Sequence, residues 1–430
     1  MHYLPGLRGI LLPACLLIGA SAAVFACSAT GGNTFPAGTN GVGGGNSGNG
    51  LGGDFSFTTG TGTSTGSGDD GILHSTPPCS VTDPNADHDG DGFTIAQGDC
   101  NDCTAQMNPG AFDFPGNGVD EDCNGTPDDS PTNCDGNLAV GSNDAVDGAK
   151  ALGLCKMAQG AGWGLVSARY ATADNQPLSN FDPQGLGHGI LTGFGPNVHP
   201  QEGHKILALS SGAARQPTDP GYQSVSGYDK GYGPPDTVAP PGFPKESPSC
   251  PGVTTGAPHD SAALEVTIKV PSNAKSLAFN LDFYTYEYPD YICEQFNDFF
   301  VALLSPPPAS LPDGNISFDA EGNLVSVNAG FLQVCHPTNA GGKTFTCPLG
   351  SSQLKGTGFD QDLFGGATDN SAATGWLQTT APVEPGSTIK LRFATWDSGD
   401  GVLDSTVLLD NFTWDAKGGD TVTEPVGVPK

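Results

Sequence analysis

Positive charge is what this chain lacks most. Sixteen lysines and arginines stand against 46 aspartates and glutamates, a net charge of −30 at pH 7. None of the sixteen lies between Arg8 and Lys150. So acidic a chain repels nucleic acid and anionic headgroups, which excludes both as direct partners, and it attracts cations. Long apolar runs are missing beyond the N-terminus, so nothing after residue 26 is expected to span a bilayer. Methionine is scarce, with 3 residues. Catalytic signatures are missing as well: there is no G-x-S-x-G, no H-E-x-x-H and no phosphate-binding glycine loop. His199, Glu202 and His204 fit no metalloprotease spacing, and their Gly and Pro neighbours place them in a loop.

Glycine (64) and proline (36) are abundant instead, which favours loops and β-structure over helix bundles. The first 26 residues read as an export signal: Arg8, then a short apolar run ending Val24-Phe25-Ala26-Cys27. This ending resembles a bacterial lipobox, which implies cleavage before Cys27 and lipidation of its thiol. The alternative is a soluble secreted chain cut near Ala26. Ser28 follows the cysteine where lipoproteins retained at the inner membrane carry Asp, so the expected location is the outer membrane and cell surface, or the extracellular medium after release. The membrane would be met through the lipid alone. Residues 27–78 form a Gly/Ser/Thr/Asn-rich linker too poor in large apolar side chains to fold, a tether of about 40 Å as a flexible coil.

Ten cysteines remain: Cys79, Cys100, Cys103, Cys123, Cys134, Cys155, Cys250, Cys293, Cys335 and Cys347. Their even number suits disulfides in an oxidising compartment. Neighbouring positions suggest Cys335 with Cys347, Cys134 with Cys155, and Cys250 with Cys293. Zinc is the alternative, but only Cys100 and Cys103 have C-x-x-C form and no second pair recurs at finger spacing.

Residues 79–130 carry the sharpest chemistry. Asp87, Asp89 and Asp91 alternate, with Gly90 and Gly92 between and after them, which lets carboxylates converge on one ion as in the first half of an EF-hand loop. The twelfth loop position is Gly98 rather than Glu, so the ligand set must be completed elsewhere, by Asp99, Asp102, Asp120, Asp122 and Asn124. Residues 87–129 resemble the MopE-type metal-binding motif of bacterial secreted proteins, through Asp87–Gly92, Gly98-Asp99-Cys100-Asn101-Asp102, Pro109-Gly110-Ala111 and Gly118–Gly125. That family is associated with copper. Copper prefers imidazole and sulfur ligands, and the segment offers only His88 and Met107 against many hard oxygens. Calcium is therefore the expected ion and copper is not, with an affinity on the order of 10⁻⁴–10⁻³ M.

Beyond residue 134 the pattern predicts one helix over Asn143–Met157, capped by Asn143, and then strands. Leu264, Val266, Ile268 and Val270 alternate with polar residues, as do Leu277, Phe279, Leu281 and Phe283, and Ile389, Leu391 and Phe393. The fold class is therefore mostly β, an antiparallel jelly-roll-like sandwich, preceded by the Asp-rich loop module. Residues 134–416 resemble the choice-of-anchor L domain of bacterial surface proteins, through Ala149–Cys155, Gly189–Asn197, Leu207–Gly212, Glu287–Pro289 with Phe296–Asp298, and Trp396–Phe412. That resemblance implies a β-sandwich surface domain with no defined reaction; residues 417–430, beyond it, are expected to be a flexible tail. Glu287, Asn297, Asp298, Asp397 and Asp404 form a candidate second calcium site, with solvated loop charges as an equal alternative.

The reading that follows is a non-enzymatic surface lipoprotein with a calcium-stabilised ectodomain, structural or adhesive, facing a glycan or cell-surface protein. The second class is a secreted carbohydrate-binding accessory protein or hydrolase. Trp163, Trp376, Trp396 and Trp414 serve either reading, as stacking platforms or as core.

Overall fold

The computed structural model describes residues 70–129, 134–361 and 371–427. Cys27, the apolar leader and most of the tether lie outside the described residues. Strand makes up 28% and helix 5% of the structure, so the protein is mostly β.

The strands in chain order are β1 (Gly164–Ala171), β2 (His188–Leu191), β3 (Ile206–Ser210), β4 (Pro258–Lys269), β5 (Ser276–Thr285), β6 (Phe299–Ser305) and β7 (Val325–Ser326). They continue with β8 (Thr338–Ala340), β9 (Lys343–Phe345), β10 (Ala372–Ala373), β11 (Leu377–Pro382), β12 (Thr388–Ser398), β13 (Ser405–Asp415) and β14 (Val422–Pro425). One sheet runs β1-β4-β12-β6-β7; the other runs β14-β11-β5-β13-β3-β2, with β10 on β5; β8 and β9 form a separate ribbon. The pairings between these strands are antiparallel.

Consecutive long strands alternate between the sheets: β4, β6 and β12 in the first, β5, β11 and β13 in the second. Each connection therefore crosses from sheet to sheet at an end of the structure. The connections β5–β6 and β12–β13 share one end, because Thr285 pairs with Ser405 while Phe299 pairs with Trp396. The β4–β5 connection lies at the opposite end.

Alternation explains the core. Leu264, Val266 and Ile268 of β4 and Leu391 and Phe393 of β12 face Phe279, Leu281 and Phe283 of β5 in one buried cluster. Phe279 and Phe393 meet edge to face, with ring centroids 4.9 Å apart. On the outward face of the first sheet, Glu265 sits between its cross-strand partners Arg169 and Arg392 and accepts from Arg169 Nε at 3.0 Å and Arg392 Nε at 3.1 Å.

The second sheet departs from simple alternation: all ten residues of β5 are buried. A further apolar layer covers its outer face, where Tyr284 packs with Phe194, Ile206, Leu354, Phe359 and Leu408. Asp282 survives there by accepting from Tyr284 Oη at 3.1 Å and Thr374 Oγ1 at 3.2 Å.

Three expectations need correcting. The helix spans only Ala145–Ala151, and Asp144 caps it, its side chain accepting from Val146 N. Gly153 (φ 106°) ends it: the N–H groups of Gly153 and Leu154 turn back to the Lys150 and Ala149 carbonyls, and a side chain at 153 would press on the Phe412 backbone. Residues 417–430 include β14, which pairs with β11 and so extends the second sheet. The linker also ends earlier than residue 78, because Leu73 is buried against Met107 and Val119 and Gln106 Nε2 donates to Gly71 O.

Among the described residues five disulfides form: Cys79–Cys103, Cys100–Cys123, Cys134–Cys155, Cys250–Cys293 and Cys335–Cys347. Three are the pairings expected from neighbouring positions. Cys100 and Cys103 part to different partners, which removes them from zinc ligation.

The Asp-rich module packs on the sandwich at the β4–β5 end. Ser272 N donates to Gly110 O at 2.9 Å, Asn273 Oδ1 accepts from Phe112 N at 2.8 Å, and the Phe112 ring meets Trp163. Lys156 Nζ reaches Asp122 Oδ2 at 3.3 Å.

Candidate metal centre

The segment Asp87–Phe93 folds as a chain of side-chain-to-backbone turns. Gly90 (φ 83°) and Gly92 (φ 94°) take left-handed conformations that L side chains adopt at a cost. Asp87 accepts from Gly90 N (2.7 Å) and Gly92 N (3.0 Å). Asp89 Oδ1 accepts from Asp91 N (3.2 Å), Asp91 Oδ1 from Phe93 N (2.8 Å), and Asp99 Oδ1 from Asn101 N (2.8 Å). Each of these last three aspartates thus spends one oxygen on the backbone two residues onward. The other oxygen, Oδ2 of Asp89, Asp91 and Asp99, is buried without a hydrogen-bond partner, and so is Asn101 Oδ1.

The carboxylates converge. Oxygens of Asp87, Asp89 and Asp91 lie within 4.8 Å of one another, and so do those of Asp89, Asp99 and Asp102. Asp89 belongs to both groups and joins them into one centre. Burial pushes Asp91 up to about 6, and it raises Asp89 and Asp99 with help from neighbouring carboxylates. Asp102 goes the other way: the His88 N–H donates to it at 2.7 Å and holds it low, and the His88 ring is raised in turn by its bond to the same carboxylate.

These donors suit a hard cation. Buried acceptor oxygens without donors are costly unless something positive reaches them, and calcium takes six to eight oxygens in flexible geometry. Imidazole and sulfur, the donors copper prefers, are few here. His88 Nδ1 is engaged by Asp102 at 2.7 Å, and Met107 is buried in an apolar cluster with Leu73 and Val119.

Of the residues expected from sequence, Asp87, Asp89, Asp91, Asp99 and Asp102 come together. Asp120, Asp122 and Asn124 do not. Asp120 accepts from Asn124 N and Gly125 N, Asp122 faces Lys156, and Asn124 Nδ2 donates to Asp129. They brace the closing turn around Cys123 rather than joining the centre. Asn101 is the ligand-type residue missed. Its signal was present, since Asp99-x-Asn101 repeats the alternation of the first loop.

At the other end of the sandwich, Glu287, Asp298 and Asp397 bring oxygens within 4.8 Å of one another, all three being buried. The two other residues expected there stand aside. Asn297 Oδ1 accepts from Asn328 N at 2.9 Å, so it fastens a loop. Asp404 lies against Gly212, where any side chain would overlap its carboxylate, and Lys230 is the charge that offsets its burial.

Comparison with known families agrees with this layout. Residues 99–129 match the family described as "Putative metal-binding motif", whose label refers to copper and to MopE, and residues 252–414 match the "Choice-of-anchor L domain". Both matches are narrower than the resemblances read from sequence: the loop Asp87–Gly92 precedes the first, and β1 to β3 precede the second although they belong to the same sheets. No curated protein and no solved structure matches the chain. Among the described residues no helix is long and apolar enough to cross a membrane. The domain identity describes a surface-associated or exported protein and carries no catalytic assignment. The chain therefore carries a MopE-type metal-binding motif followed by a choice-of-anchor L domain.

Proposed function

We propose that this is a non-enzymatic surface lipoprotein of the outer membrane, held by acylated Cys27, whose ectodomain is stiffened by calcium and serves adhesion or the binding of a glycan or cell-surface protein. The observation that carries the calcium reading is the set of buried Oδ2 atoms of Asp89, Asp91 and Asp99, each without a donor while its sister oxygen is engaged. A bound calcium would supply a positive centre drawing the loop 87–91 and the segment 99–102 together. The residues themselves do the positioning: Asp87 sets the turn, His88 fixes Asp102, and the disulfides Cys79–Cys103 and Cys100–Cys123 hold the two segments in register. In sequence the module precedes the sandwich and follows the expected tether, so its rigidity would govern how a tethered sandwich is presented.

Three of the four tryptophans are buried and Trp376 is half-buried, which supports a structural or binding role over sugar stacking. Trp163, Trp396 and Trp414 are 5%, 0% and 7% exposed. Glycan binding keeps one specific support, a cavity between module and sandwich lined by Phe112, Lys156, Trp163, Glu202 and Trp414.

The test displays the full chain on cells and measures attachment to partner cells in millimolar calcium and in chelator, with and without competing oligosaccharides. Attachment falls several-fold in chelator, and Cys27→Ser releases the chain into the medium. Equal attachment in both conditions refutes the adhesive reading, and loss only with oligosaccharide identifies a glycan as the ligand.

A further inference from the structure

The second carboxylate cluster is assigned by neither family match. Its members come from distant parts of the chain: Glu287 just after β5, Asp298 just before β6, and Asp397 within β12. The topology makes them neighbours, because the β5–β6 connection and the end of β12 share one end of the sandwich. They are 1%, 0% and 0% exposed.

Partners are too few for so much buried charge. Asp298 is satisfied, accepting from Ser398 N at 2.9 Å and Ser405 Oγ at 2.6 Å. Asp397 Oδ1 accepts from Gly401 N at 3.1 Å. Glu287 Oε2 and Asp397 Oδ2 are buried with no hydrogen-bond partner, and so is the neighbouring Ser398 Oγ. The charges acting on Glu287 are Asp298, Asp400 and Asp404, all of its own sign. Lys230, a base near this end, donates to the Ser210 carbonyl at 2.9 Å. Lys230 is within electrostatic reach of Asp397, but three buried carboxylates with so little compensating charge are strongly unfavourable unless protonated or bound to a cation. Outside a cell, near neutral pH and in abundant calcium, the cation is the simpler remedy, and every donor in the cluster is a hard oxygen.

We propose that Glu287, Asp298 and Asp397 form a second divalent-cation site of the calcium class, independent of the Asp-rich module, which ties the β5–β6 connection to the end of β12. Asp298 is the preoriented ligand, held by two donors from the β12–β13 side. Glu287 and Asp397 supply the free oxygens that close on the ion. The same connection carries Cys293, bonded to Cys250, so the ion and the disulfide anchor one loop at two points.

The experiment counts calcium bound to the full chain by equilibrium dialysis. A first variant, Asp89→Asn with Asp91→Asn and Asp99→Asn, removes the module's centre. A second adds Glu287→Gln and Asp397→Asn. The proposal expects the first variant to retain about one calcium per chain and the second to retain none. It also expects the second to melt higher than the first in chelator, because neutral amides replace buried like charges, and to gain nothing from added calcium. Should the second variant not fold, Asp397→Glu in the first variant's background keeps the charge but misplaces the oxygen, and weakens that calcium by roughly tenfold or more. The proposal is overturned if the first variant, folded by circular dichroism, binds no calcium, or if the added substitutions leave its calcium in place. Either result leaves the module's own calcium untouched, because that is read in the wild-type chain.

Discussion

Calcium added in hundredfold excess over its dissociation constant is expected to stabilise the folded chain by about 2.7 kcal/mol, which for a unit of this size raises the melting temperature by roughly 4 °C. The gain has a local source. In chelator, the buried oxygens of Asp89, Asp91 and Asp99 face one another without donors, and burial together with mutual repulsion raises their protonation. A bound calcium would remove both penalties at once. Asp91→Asn takes away one charge and one strong ligand while preserving the turn, since an amide oxygen still accepts from Phe93 N. That variant melts near or above the wild type in chelator and shows a much smaller calcium shift. Differential scanning calorimetry with disulfides intact reads both quantities. A full calcium shift retained in Asp91→Asn removes this residue from the centre.

Phe393→Ala is expected to cost about 3–5 kcal/mol, among the largest losses from a single substitution in the sandwich. Phe393 lies mid-way along β12, paired with Leu264 on one side and Ala302 on the other, and its ring meets Phe279 of the opposite sheet. Truncation leaves a hole between two sheets that are pinned by ladders on every side, so collapse to fill it is limited. Chemical denaturation of the folded chain reads the loss as a lower midpoint at unchanged slope. A cost below about 1 kcal/mol would mean that the sheets close over the gap, contrary to the packing described.

The parts of this structure that could be read from sequence share a physical basis: their signals are local. Alternation in β4 and β12 gives the buried face directly, because one face of that sheet is wet enough to hold Lys390 and Arg392 while Leu391 and Phe393 go inward. β5 alternates too, but its polar residues are covered by a second apolar layer that arrives from distant loops, which no period-2 pattern reveals. The three disulfides joining neighbouring cysteines were legible. Cys79–Cys103 and Cys100–Cys123 were not, because their spans interleave and spacing alone does not choose between pairings.

The same division holds for the metal centre. Asp87, Asp89, Asp91, Asp99 and Asp102 are fixed by short-range spacing and turn chemistry, and the structure brings them together. Asp120 and Asp122 carry an equally suggestive spacing, yet their oxygens serve a local turn and Lys156, a base 34 residues downstream of Asp122. In the second cluster, sequence pointed to both loops but not to the choice among their acids. Asp397, on the strand, joins the trio, while Asp404, seven residues later and past the crossing, lies against Gly212 in the other sheet's loop region. That outcome depends on the register of β12 against β4 and β6, which is a tertiary fact.

The central claim is that the Asp-rich module is a hard-cation centre. The most direct test dialyses the full chain against equal concentrations of calcium, magnesium and copper, then measures bound metal by mass spectrometry in the wild type and in Asp89→Asn with Asp91→Asn. The account predicts calcium as the bound ion in the wild type, copper at background, and less calcium in the variant by about one ion per chain. Stoichiometric copper in the wild type, or calcium unchanged by the two substitutions, would contradict it.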